Sequence, residues 1–167
     1  TGYELYRTVG NNTDTPVLVA TFDADTLKYI DRDVVGGEDY YYYLRTKNPE
    51  GVSALSSAKK NTYLEVPKIT YIGNAYGGIT FNWSPVEGAE GYRVYRKVYG
   101  TTYYTYIETV SADTLTYTDP NAENGKIMCY TVRAVNDTSM SAYLAKCYTY
   151  VKAPVIRFSN SPSGVYL

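Results

Sequence analysis

Between Ile79 and Ser84, apolar and polar side chains take turns. Ile79, Phe81 and Trp83 alternate with Thr80, Asn82 and Ser84. A period of two describes a strand with one apolar face. Pro85 ends it, because proline has no N–H to give to a ladder. Gly88 and Gly91 bracket a turn. A second strand follows, with Tyr92 and Val94 on one face and Arg93 and Tyr95 on the other. The same reading predicts strands near 68–72, 78–84, 91–98, 103–109, 114–118, 126–135 and 142–151. Turn residues such as Asp119-Pro120-Asn121, Asn124-Gly125 and Asn136-Asp137 separate them. No stretch carries a helical period. Short strands at regular spacing predict an all-β sandwich.

The pattern recurs along the chain. Gly2-Tyr3-Glu4-Leu5-Tyr6-Arg7 returns as Gly91-Tyr92-Arg93-Val94-Tyr95-Arg96, and Asp25 through Asp31 returns as Asp113 through Asp119. Tyr42-Tyr43-Leu44-Arg45 returns as Tyr130-Thr131-Val132-Arg133, and Pro67 and Ile69 return as Pro154 and Ile156. So many matches in one order predict a tandem duplication. Residues 67–152 make a whole unit. Residues 1–66 lack counterparts of 67–90, and so lack the first two strands of a unit. Residues 153–167 hold the opening strands of a third, with short linkers around Val66-Pro67 and Ala153-Pro154. Two explanations follow: a window on a longer array, which is preferred, or a subunit whose 153–167 completes 1–66 of the next copy in a filament. In the second case the donor lacks a counterpart of Trp83, since Leu167 aligns with Phe81.

Composition narrows the chemistry. The 167 residues carry a net charge of −1 and no basic run, which argues against nucleic acid as a partner. No apolar run approaches a membrane span, so no direct membrane insertion is expected. Histidine is absent, which removes the commonest general base and metal ligand. No catalytic residue, cofactor or metal site is expected. The 22 tyrosines read mostly as strand residues with an apolar body and a polar tip.

Trp83, Gly91 through Arg96, Tyr117-Thr118-Asp119 and Tyr130 through Asn136 together resemble the fibronectin type III family. They look most like repeats of secreted or surface multi-modular bacterial proteins. The resemblance implies a Greek-key, immunoglobulin-like sandwich of three strands on four. It places Ile79, Phe81, Trp83, Tyr92, Val94, Leu115, Tyr117, Met128, Tyr130, Val132 and Ala134 in the core. It also implies a corner tyrosine on the sixth strand. Tyr40 fits that position in the first unit, while Met128 in the second has no hydroxyl and should rely on packing.

If the last hairpin turns about Thr138, Cys129 and Cys147 face one another on its outer side. A disulfide is the preferred reading, with two free thiols as the alternative. A disulfide implies an oxidising compartment. Tyr99, Tyr103, Tyr104 and Tyr106 follow the third strand of the whole unit and could form an aromatic row for a glycan or a protein. Asp23, Asp25, Asp31 and Asp33 invite a calcium reading, but the spacing fits no EF-hand and they read as turn residues, as do Asp113 and Asp119. Glu87, Glu90, Glu108 and Glu123 show no sign of sharing the cleft a glycosidase requires. Asn11-Asn12-Thr13, Asn82-Trp83-Ser84 and Asn136-Asp137-Thr138 match the glycosylation acceptor pattern, a short and frequent one.

The expected function is a non-catalytic extracellular or cell-surface module: structural spacer or adhesion unit, with neighbouring repeats as partners. The alternatives are a glycan- or protein-binding module using exposed tyrosines, or accessory domains of a secreted polysaccharide-degrading enzyme.

Overall fold

The computed structural model describes residues 1–11, 15–157, 159–161 and 163–166. Asn12 and Thr13 of one glycosylation pattern, and Leu167, lie outside the described residues.

Every described element is a strand. β1 (Gly2–Val9), β2 (Val17–Asp23), β3 (Asp39–Asn48), β4 (Gly51–Val52) and β5 (Lys59–Thr62) make one antiparallel sheet, with β1 between β2 and β3. β6 (Ile69–Ala75), β7 (Gly78–Trp83) and β10 (Thr116–Asp119) make a second sheet with β7 at its centre. β8 (Gly91–Val98), β9 (Thr105–Ser111), β11 (Ile127–Val135) and β12 (Ala145–Thr149) make a third, in the order β12-β11-β8-β9. β13 (Ser159–Ser161) and β14 (Gly164–Tyr166) pair as a hairpin.

The second and third sheets close on one another. Alternation aims Ile79, Phe81 and Trp83 from β7 at Tyr92 and Val94 from β8 and at Tyr130 and Val132 from β11, and each is at most 3% exposed. The rings interlock: Phe81 lies 4.6 Å from Tyr130 and Trp83 5.6 Å from Tyr92, centroid to centroid. Met128 is buried at the corner position. Leu115 and Tyr117 are half-buried at the rim and pack against this core.

Two strand bounds need correction. The strand expected over 103–109 begins at Thr105, which leaves Tyr103 and Tyr104 in the preceding loop. That expected over 142–151 spans only Ala145–Thr149. In the first segment, residues 28–31 align with β10 but form no strand. β10 exists by pairing with β7, Tyr117 opposite Phe81. Among the described residues no strand stands beside the aligned stretch, so it has no ladder to join.

The two segments are tied at a short joint. Leu64 enters the core of the following sandwich, and Pro67 is fully buried. The Thr62 N–H donates to Ser139 Oγ at 2.9 Å, the Thr62 and Thr138 hydroxyls lie 3.0 Å apart, and Ser139 Oγ donates to Asn61 Oδ1 at 3.1 Å. Across the same joint Gly37 meets Gly88 so closely that a Cβ on Gly88 would stand 2.9 Å from the Gly37 Cα. Both glycines have positive φ, 82° and 75°, which side-chain-bearing residues rarely adopt.

Candidate functional site

β1 and β3 of the first sheet carry, in register, the same alternation as β8 and β11. Leu5 stands opposite Leu44, just as Val94 stands opposite Val132. The apolar side of β8 and β11 lies under β7. Among the described residues no strand covers the same side of the first sheet, which forms an open groove of about 520 Å³, lined by Tyr3, Leu5, Tyr40, Leu44 and Tyr63 among others. Leu44 is 46% exposed and Tyr63 38%, whereas their aligned residues Val132 and Tyr150 are 0% and 6%. Which of the two like faces is open was decided by the tertiary structure.

One wall of the groove is a carboxylate hub on Asp31, which also holds a turn by accepting the Asp33 N–H at 3.1 Å. Arg7 Nη1 donates to Asp31 Oδ2 at 2.7 Å, and the Tyr42 hydroxyl donates to the same oxygen at 2.9 Å. The arrangement recurs in the sandwich, where Asp119 accepts from Arg96 at 2.6 Å and from Tyr130 at 2.9 Å. Asp119 is fully buried, so it is not solvated, and its Oδ1 also accepts the Asn121 N–H at 3.0 Å and holds the turn. A buried carboxylate needs both a charge partner and hydrogen bonds, and Arg plus Tyr supply them. The signal was present: Arg7/Arg96, Asp31/Asp119 and Tyr42/Tyr130 are aligned in the repeat. Burial, and then the adjoining carboxylate, push the Tyr42 and Tyr130 hydroxyls well above the ordinary tyrosine range. The Tyr40 hydroxyl accepts the Val35 N–H at 2.7 Å, a corner contact that Met128 cannot make.

On the outer face of the first sheet, Glu4 accepts from Arg45 at 2.7 Å and Tyr6 at 2.9 Å. These bonds hold its carboxyl below the usual range. Asp31 is committed to Arg7, and Asp23, Asp25 and Asp33 are exposed. Among the described residues no group of three or more His, Cys, Asp or Glu could hold a metal ion. Glu87, Glu90, Glu108 and Glu123 are all exposed.

Cys129 and Cys147 are register partners across β11 and β12, and they are joined by a disulfide. Cys129 is 1% exposed although it faces outward. Tyr99, Tyr103 and Tyr104 lie between β8 and β9, and Tyr106 lies on β9. Tyr104 turns onto Tyr143 at 5.7 Å with Lys97 Nζ 4.8 Å from its ring, and Tyr106 packs edge-on against Tyr95 at 5.7 Å. Tyr99 and Tyr103 are 66% and 84% exposed.

No protein-family model matches the chain, and no curated protein does. Among solved structures, a two-domain fibronectin type III segment of chicken tenascin aligns over 90% of this chain and 85% of its own, with a TM-score of 0.50 and 14% identity. The FN1–FN3 domains of chicken CNTN1 align over 90% of this chain and 56% of their own, with a TM-score of 0.49 and 15% identity. A β-1,2-glucanase from Parabacteroides distasonis aligns over 66% of this chain and 18% of its own, with a TM-score of 0.49 and 24% identity. The fold is all-β, in antiparallel sheets, and it is that of fibronectin type III domains.

Proposed function

We propose that this chain is a non-catalytic extracellular module whose task is geometric: a spacer that holds what it is attached to at a set distance and orientation. The joint carries this reading. Three polar contacts from Asn61 and Thr62 to the 138–139 turn, with Leu64 seated in the next core, restrain rotation between the segments. A flexible tether would not bury its own residues in the following domain. The Cys129–Cys147 bridge supports an oxidising, extracellular setting. Backbone ¹⁵N relaxation tests the proposal. A spacer gives one rotational correlation time for β1–β5 and for β6–β12. Two independent times would overturn the rigid-spacer reading.

A second reading, a glycan- or protein-binding module, is favoured by the exposure of Tyr99 and Tyr103 on one loop. Titration of soluble glycans against the NMR shifts of that loop tests it, and no response to any of them would remove the glycan form.

A further inference from the structure

We propose that the outer face of the sheet β12-β11-β8-β9 binds the carboxylate groups of an acidic polysaccharide, with Arg93 and Arg133 as the pair that holds the anion. The inference rests on neither the spacer reading nor the loop of Tyr99 and Tyr103.

The first sheet shows how this fold settles a cation at that place. Glu4 stands opposite Arg45 on the outer face and accepts from it at 2.7 Å, and the Arg45 guanidinium lies 4.9 Å from the Tyr6 ring. In the sandwich Tyr95 and Arg133 keep the places of Tyr6 and Arg45, and Arg93 takes that of Glu4. Arg93 therefore stands opposite Arg133, and like charges directly opposite in a ladder repel. Among the described residues no carboxylate lies within ion-pair distance of Arg93, Arg133 or Lys97, the third cation of this face. Glu90 and Asp137 border the depression beside Arg93 without pairing to it. Arg133 is fixed in place: its Nε donates to the Ser141 carbonyl at 2.7 Å, and its guanidinium lies 5.7 Å from the Tyr143 ring.

The occupant follows from what the face lacks and what it offers. Guanidinium forks match a carboxylate, which accepts from them bidentately, and a carboxylate is what Glu4 supplies in the first sheet. Lys97 lies four residues along β8 from Arg93, about 13 Å at the rise of a strand. A polymer with repeated charges engages both ends of that row. Tyrosine rings stand along it: Tyr95 against Tyr106, and Tyr104 against Tyr143, each pair at 5.7 Å. Tyr106 is 52% and Tyr143 49% exposed, so their apolar bodies and polar tips remain open to a sugar ring. Thr131, opposite Tyr95 on the same face, is 2% exposed and its Oγ1 has no hydrogen-bond partner among the described residues. The face thus holds cations without an anion and a hydroxyl without a partner. An acidic peptide would satisfy the cations alone, and the rings favour the polysaccharide.

Affinity electrophoresis of the full chain through gels containing polygalacturonate tests this, with two controls. The methyl ester of the same polymer keeps the sugar and removes the charge, and polyglutamate keeps the carboxylates and removes the sugar. Polygalacturonate should retard the chain, less so as salt is raised. The methyl ester should not, and polyglutamate should bind about tenfold more weakly or worse. Arg93→Glu rebuilds the arrangement of Glu4 and Arg45, so it should lower polygalacturonate affinity by about tenfold or more while the thermal melt holds or rises. Arg93→Gln, which only removes the charge, carries the same binding prediction if the first variant melts early. Tyr143→Ala should weaken polygalacturonate binding and leave polyglutamate binding unchanged. No retardation by polygalacturonate overturns the proposal, as does unchanged affinity in Arg93→Gln. Equal binding of the methyl ester would overturn the role of the arginine pair. Equal binding of polyglutamate would overturn the polysaccharide and assign the face to an acidic peptide.

Discussion

Val132 and Leu44 align in the repeat and sit at the same place in the same ladder, one opposite Val94 and the other opposite Leu5. Val132 is sealed and Leu44 is half exposed. Tyr150 and Tyr63 differ in the same way. The residues and their pairing are alike, so the difference lies in β7, which covers one sheet and has no counterpart over the other. A strand's apolar face becomes core when a second layer arrives to exclude water from it.

The comparison can be tested by substitution. Trp83→Ala should have the largest effect, removing the covering layer's anchor at a cost of about 3–5 kcal/mol. A thermal melt unchanged from wild type would show that the layer does not depend on it. Asp119→Asn should cost about 3 kcal/mol, since it leaves the Arg96 charge without its buried partner. Asp31→Asn should cost less, because its hub borders the open groove. Equal costs in denaturant melts would show that cover does not matter to the hub. Replacing Cys129 and Cys147 together by Ser should lower stability by up to about 3 kcal/mol, the expectation for a loop of this modest size. That loss should appear in the unfolding of the sandwich and leave the first sheet untouched. Val132→Ala should cost about 2 kcal/mol and Leu44→Ala under about 1 kcal/mol, in proportion to the apolar area each keeps from water.

The pH dependence has two arms. Glu4 and Asp39 have folded pKa values below their unfolded ones: Glu4 through Arg45, Asp39 first through the Thr62 hydroxyl. The unfolded chain therefore binds their protons more readily. Their stabilising effect is present above the ordinary carboxylate pKa and is lost as pH falls through the depressed values. Tyr42 and Tyr130 have raised values. Their contribution is complete below the ordinary tyrosine pKa and drains away as pH rises beyond it. Acid should weaken the first sheet first, since Glu4 and Asp39 both belong to it. Amide exchange followed across pH would show otherwise if β8 and β11 opened at the same point.

Much of the fold was legible. The alternation at 78–84 and 91–98 matches β7 and β8 to within a residue, because a strand's period needs no tertiary information. Tyr104 was less legible. Whether a tyrosine faces solvent or a neighbouring ring depends on Tyr143 arriving from a distant loop. The turn roles of Asp31 and Asp119 were legible, since each accepts the N–H two residues on; the Arg and Tyr partners that make each a hub come from distant strands and were not.

By itself, the sequence determined the all-β class and the main strands of the sandwich, since these follow from short-range alternation and turn chemistry. The tertiary structure decided which of two like faces is core and which is groove, which carboxylates are buried, and that the joint is braced. Each of these depends on whether a second, distant surface excludes water, and exclusion belongs to the packed pair of surfaces and to neither strand alone.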